Sequence, residues 1–229
     1  TVPIISKATG INLVAAATRI ALGEPLRDME YGTGLRPRAP FVVVKIPVFS
    51  FAKMRGVETI LGPEMKSTGE VLGIDDTFAG ALRKGFIGAG FRLPSVGGKI
   101  LVSISDEEKA DCIPILRRYA LLGHILYATQ GTRQVLIDAG IDCLAVNKIS
   151  DGSPHVLDLI ASRTIDLVIN DAKGPRELSD NYKIRRTAVE AAIACLTSLD
   201  TASALADALE HTAGPPRSLQ EYRCAQALS

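Results

Sequence analysis

Lys99-Ile100-Leu101-Val102-Ser103, followed at once by Ser105-Asp106-Glu107-Glu108, decides the fold class. The first five residues are an aliphatic strand with almost no polar interruption, and the next four predict a capping-box start for a helix running towards Gly123. The same unit recurs downstream. His124–Ala128 reads as a strand, and a short helix through Val135-Leu136 closes at Gly140. Cys143–Val146 is the third strand, with a helix from Val156 to Arg163. Ile165–Ile169 is the fourth, followed by a long helix from Lys183 to Cys195 and another from Thr201 to Glu210. A short fifth strand fits between those two helices, near Leu196–Leu199. Apolar strands alternating with helices predict a doubly wound parallel sheet covered on both faces.

Upstream the pattern is different. Asn12 predicts a helix cap, with Leu13, Ala16, Ala17 and Ile20 on one face. A Gly/Pro/Arg-rich link over residues 31–40 leads to a strand at Phe41–Ile46, and Lys66–Gly73 is a weaker strand candidate. A helix starts at Asp76 or Thr77 and is expected to break at the glycines 85, 88 and 90. A helix, two strands and a helix make a poor core alone, so this α+β segment is expected to be part of something larger. At the other end, His211–Ser229 is more polar, carries Pro215-Pro216, and predicts an irregular or docked tail.

Composition sets the outer limits. Of 229 residues, 47% are apolar and 22% charged, which suits a soluble globular protein rather than a disordered one. Lys and Arg number 26 against 25 Asp and Glu, a formal charge of +1 that excludes a general nucleic-acid binder. The apolar runs are too short to span a bilayer and the N-terminus has no signal-peptide pattern. Cys112, Cys143, Cys195 and Cys224 are far apart, without CxxC or Cys/His spacing. They are read as reduced structural thiols of a cytoplasmic protein, with no metal site. The chain opens on Thr1 without Met, as the cut edge of a longer polypeptide or a processed product would.

Ligands of open α/β sheets sit outside the carboxyl ends of the strands. There the sequence places Thr129-Gln130-Gly131-Thr132, then Asn147-Lys148, then Asn170-Asp171-Ala172-Lys173-Gly174. Hydroxyls, a glycine, a helix N-terminus and a lysine are the parts of a phosphate site. Turn and cap chemistry alone accounts for Thr, Gly and Asn at such places, but not for Lys148. His124 reads as a packed structural histidine, His155 as a cap or solvated residue at a helix start, and His211 as solvated. Asp106-Glu107-Glu108 suits a helix N-terminus electrostatically, and Arg185-Arg186 reads as a solvated face or an interdomain contact.

The segments Val2–Gly10 and Leu61–Gly73, then Ala128-Thr129-Gln130-Gly131-Thr132, Val146-Asn147-Lys148-Ile149 and Ser153-Pro154-His155, resemble the C-terminal end of the large subunit of carbamoyl-phosphate synthase. The resemblance runs in order over residues 1–210. It implies that residues 1–95 are the last piece of the second ATP-grasp half. Residues 96–212 would then be a methylglyoxal-synthase-like allosteric domain and 213–229 a tail. The family's catalytic groups and its ATP and Mg or Mn ligands lie mostly upstream, so no catalytic residue, cofactor or metal is assigned within this chain. The implied partners are the rest of the large subunit and the glutaminase small subunit. A nucleotide monophosphate such as UMP or IMP is the implied effector, and an oligomer through the regulatory domain is expected.

Carried over by motif, the effector's phosphate falls to Lys109, Thr129, Thr132, Lys148 and Asn170, beside Gly131 from the strand-end reading; Lys109 enters through the resemblance alone. Asp171-Ala172 departs from the Thr-Thr that the family pattern predicts. The alternative within the same fold is a methylglyoxal-synthase-type lyase. At the position of that enzyme's catalytic Asp this sequence has Ser153, with Asp151 offset, and an unassisted serine cannot replace a carboxylate base. A third reading makes the chain mainly an oligomerisation or interdomain module.

Overall fold

In the computed structural model, residues 1–36, 38–53, 63–171, 180–212 and 214–227 are described. Two helices, α1 (Val2–Thr9) and α2 (Leu13–Ala21), lead into an antiparallel pair, β1 (Val42–Val48) and β2 (Gly69–Asp75), backed by α3 (Phe78–Gly88). Val42 lies opposite Asp75 and Val48 opposite Gly69. Then follow β3 (Lys99–Ile104), α4 (Lys109–Leu121), β4 (Ile125–Thr129), α5 (Gln130–Asp138), β5 (Leu144–Val146) and α6 (Val156–Ala161). The chain continues through β6 (Leu167–Asp171), α7 (Asp180–Glu190), β7 (Ala194–Leu196), α8 (Leu199–Glu210) and α9 (Leu219–Ala227).

The second sheet has five parallel strands in the order β5-β4-β3-β6-β7. The predicted α/β class and parallel sheet are therefore present, and the antiparallel pair ahead of them fits a partial ATP-grasp piece. Alternation along β3 explains the two layers. Ile100, Val102 and Ile104 face Cys112, Leu116 and Tyr119 of α4, Leu136 of α5, and Ala202 and Leu205 of α8. Leu101 faces Val156 and Ile160 of α6 and Ile184 and Ala188 of α7. Burying these side chains is worth about 1.5–3 kcal/mol for each large one. Tyr119 joins the same layer because its hydroxyl donates to the Ala202 carbonyl at 2.7 Å, which pins α4 to α8.

The N-terminal piece leans on this domain. Ile46, Leu82 and Phe86 belong to the same apolar cluster as β3 and α8, and Arg83 donates to the Ala208 carbonyl at 3.2 Å. By contrast α2, capped as read by Asn12 Oδ1 accepting from the Ala15 N–H at 3.0 Å, buries only Ala16 and leaves Val14 and Ile20 exposed.

Several local expectations are corrected. α3 is not broken by its glycines and runs to Gly88, ending where Gly90 adopts φ +86. Gly85 is there for contact: a Cβ on Gly73 would lie 2.0 Å from the Ala81 carbonyl and 2.7 Å from the Gly85 nitrogen, so strand and helix backbones meet directly. The capping box at Ser105 does not form; residues Asp106–Glu108 make a 3₁₀ turn, α4 starts at Lys109, and the Ser105 hydroxyl makes no cap bond. The helix expected over 183–195 is α7 plus β7, because Ala192 turns the chain with φ +58 and residues 194–196 pair with β6. Residues 2–9 form a helix that sequence reading left unassigned.

The tail is helical as well as docked. Tyr222 donates to the Ile74 carbonyl at 2.9 Å and packs on Phe41. Lys84 donates to Tyr222 Oη and to the Pro215 carbonyl, both at 3.1 Å, and pairs with Asp75 at 2.8 Å. Burial alone would raise the Asp75 pKa; Lys84 and the N–H groups of Asp76 and Thr77 outweigh it and hold the carboxyl below its ordinary value.

Candidate functional site

The strand order reverses between β3 and β6, which puts a crevice at the carboxyl end of the sheet beside β3. A cavity of about 310 Å³ lies there. Lys109, Thr129, Gly131, Thr132 and Lys148 all line it, so five of the six residues read from sequence converge. Thr129 ends β4 in extended conformation and is the N-cap of α5, yet its side chain makes no capping bond. The first turn of α5 therefore meets the cavity with its N–H groups lacking a cap from the Thr129 side chain, a ready donor set for an anion.

Lys109, on the first turn of α4, reaches across to this helix end. A Cβ on Gly131 would lie 2.9 Å from Lys109 Nζ, so glycine is what lets the ammonium approach the α5 N-terminus. Lys148 comes from the end of β5 and is exposed, with its backbone N–H donating to Asp151 Oδ2 at 3.2 Å. Two ammonium groups and a helix N-terminus supply positive charge here, set against the carboxylates of Asp106 and Asp180 that line the same cavity.

Sequence reading missed part of the wall. Ser103, Ser105 and Asp106 line the cavity from the end of β3, and Asp180 and Asn181 from the start of α7. The strand-end rule, applied to β3 as it was to the other strands, finds the serines. Asp106 has more than a dipole role. Its carboxylate hydrogen-bonds Lys109, and that bond, then the charges of Lys109 and Lys148, hold its pKa below the ordinary carboxylate value. An incoming anion has to share Lys109 with Asp106.

Asn170 stands apart. It is fully buried and does not line the cavity. Its Oδ1 accepts from Arg185 Nε at 2.8 Å, its carbonyl from Arg185 Nη2 at 3.3 Å, and its Nδ2 donates to Asn181 Oδ1 at 3.2 Å. Arg185 and Arg186, read as a solvated face or an interdomain contact, are each 9% exposed, which removes the first alternative. Asp171 turns to α8, accepting from the Leu199 N–H at 2.9 Å; Ala172, Lys173 and Gly174 lie outside the described residues, as do Leu61 and Gly62 of the quoted N-terminal motif.

The remaining candidates are occupied elsewhere. Ser153 donates to Asp158 Oδ2 at 2.8 Å, and Asp151 accepts from Lys148 N and the Ser150 hydroxyl. His155 caps α6 beside Asp158, with Nδ1 at 3.1 Å from Oδ2, and none of the three lines the cavity. His124 is buried against Tyr119, and burial lowers its pKa. Among the described residues no group of three His, Cys, Asp or Glu is placed to hold a metal, and no helix is long and apolar enough to cross a membrane.

Residues 111–197 match the family of MGS-like domains. Over 212 residues the chain is 49% identical to the carbamoyl phosphate synthase large chain of Agathobacter rectalis, covering 92% of this chain and 20% of that protein. It is 46% identical over 220 residues to the carbamoyl phosphate synthase large chain of Lachnoclostridium phytofermentans, covering 96% and 20%. The chain spans about a fifth of the length of these relatives.

Proposed function

We propose that this chain serves as the C-terminal regulatory segment of a carbamoyl phosphate synthase large chain, binding a nucleotide monophosphate effector by its phosphate. Residues 96–212 form the effector domain in this reading, residues 1–95 end the second ATP-grasp half, and 213–229 are the tail that ties them. The observation that carries it is the meeting of Lys109 and Lys148 at the N-terminus of α5, over a glycine that leaves room for an ammonium. A phosphate dianion gains charge-assisted bonds from both lysines and neutral donors from Thr129, Thr132 and the α5 N–H groups. Asn170 supports the site from behind rather than by direct contact.

In this reading the parent enzyme is a cytoplasmic ligase making carbamoyl phosphate from bicarbonate, glutamine-derived ammonia and ATP, for pyrimidine and arginine synthesis. The rest of the large chain, with its ATP and metal sites, and a glutaminase small subunit are the partners, and the regulatory domain also contributes to an oligomer. In this reading the chain alone makes neither carbamoyl phosphate, whose catalytic groups the family resemblance places mostly upstream, nor methylglyoxal, since Ser153 and Asp151 are engaged outside the cavity. Titration calorimetry with UMP, IMP and inorganic phosphate tests the reading. Saturable binding that weakens as salt rises supports it; no binding of either nucleotide at millimolar concentration would overturn it.

A further inference from the structure

Arg185 has no place in the phosphate site, yet it touches two things that matter to it. One is Asn170, held by two hydrogen bonds at the end of β6. The other is a second cavity, about 320 Å³, between the two parts of the molecule. Arg185, Val189 and Ala192 form one side of that cavity, and Phe49, Phe51 and Phe91 form the other. The 3₁₀ turn Phe51–Lys53 packs directly on α7. One turn before Arg185, α7 presents Asp180 and Asn181 to the phosphate cavity.

We infer that Arg185 is a positioning residue that makes α7 a rigid connection between the effector cavity and the N-terminal piece. This rests on the effector reading above and adds the route by which occupancy is felt. The physical grounds are these. A guanidinium this buried, with a planar fork engaging both the side chain and the carbonyl of Asn170, fixes the rotation of α7 relative to β6. Asn170 also holds Asn181, so the first turn of α7 and its Arg185 turn are locked to the same strand end. A ligand that hydrogen-bonds Asn181 shifts α7 as a body, and the shift reaches the Phe51–Lys53 turn where that turn packs directly on α7.

Amide hydrogen exchange on the full chain tests this in two arms, comparing the parent protein with Arg185→Gln and Arg185→Lys. Without ligand, both variants are expected to exchange several-fold faster at residues 49–53 as well as at 181–184, with β3 amides unchanged as the control for folding. Faster exchange confined to 181–184 would overturn the connection. With saturating UMP or IMP, the parent is expected to slow at both segments and Arg185→Gln at the cavity segment alone. Thr132→Ala, saturated at higher concentration, should slow both. An Arg185→Gln protein that still slows at 49–53 contradicts the inference. If neither nucleotide binds the parent, the effector reading fails while the ligand-free arm still decides the role of Arg185.

Discussion

The parallel-sheet domain and the N-terminal piece are held by different forces. In the domain, β3 and β6 are buried on both faces and the helices cover them with side chains that are almost all apolar. In the piece, β1 and β2 are partly exposed, and much of what fixes β2 is polar: Lys84 pairs with Asp75 close in sequence, while Tyr222 with Ile74 and Arg217 with Asp76 reach it from the far end of the chain. The first arrangement stands by its own burial. The second depends on exact backbone approach and on a tail from the far end of the chain. Changes in the two regions should therefore fail in different ways.

Gly73→Ala is the strongest way to sharpen that contrast. With 2.0 Å to the Ala81 carbonyl there is no room for a methyl, and the change should cost about 3 kcal/mol or more in urea unfolding. Gly131→Ala meets the flexible end of Lys109 instead, so it should leave the urea midpoint nearly unchanged while weakening nucleotide binding. Equal stability losses in the two variants would break the comparison.

Lys84→Met comes next. It leaves Asp75 buried without its cation, at a cost of about 2–4 kcal/mol. The loss should show as faster amide exchange in β2 and α9, and far less in β3. The same pair sets an acid sensitivity. Because the folded Asp75 pKa lies below the unfolded one, its contribution is complete above the unfolded value of about 3.9 and is lost as pH falls through the folded value. The tail should therefore loosen at acid pH before the parallel sheet does, which exchange measured at pH 3 and pH 7 would detect.

The smallest expected effect lies at the join. Ala192 holds φ +58, a left-handed conformation that disfavours alanine by about 1–2 kcal/mol, while glycine loses about 0.5–1 kcal/mol of chain entropy there. Ala192→Gly should therefore stabilise by about 0.5 kcal/mol in urea unfolding. A destabilised variant would show that contacts of the methyl in the second cavity outweigh the backbone term.

How much of this was legible follows from range. The parallel strands were legible because their aliphatic runs are local, and the cavity because strand ends in such sheets collect ligands. Lys148 was legible as a cation without a capping role; Lys109 needed the family resemblance, since its approach to Gly131 joins the starts of two successive helices and leaves no mark within either. For Arg185 sequence left a solvated face and an interdomain contact both open, because an arginine pair on a helix looks solvated until its partner, Asn170, is known. The glycines of α3 looked like breaks because nothing near them in sequence shows that Gly73 will press against Gly85. The docking of Tyr222 on Ile74 spans most of the chain and leaves no local signal.

The central claim is that a phosphate is held at the N-terminus of α5 by two lysines. Calorimetric titration of UMP or IMP into the parent chain, Lys148→Ala and Thr132→Ala tests it most directly. Loss of a charge-assisted contact worth about 1.5–3 kcal/mol should weaken binding more than tenfold for Lys148→Ala, while loss of a neutral donor worth about 0.5–1.5 kcal/mol should cost visibly less for Thr132→Ala. Measurable binding in the parent with affinity unchanged in both variants would place the phosphate elsewhere and contradict the account.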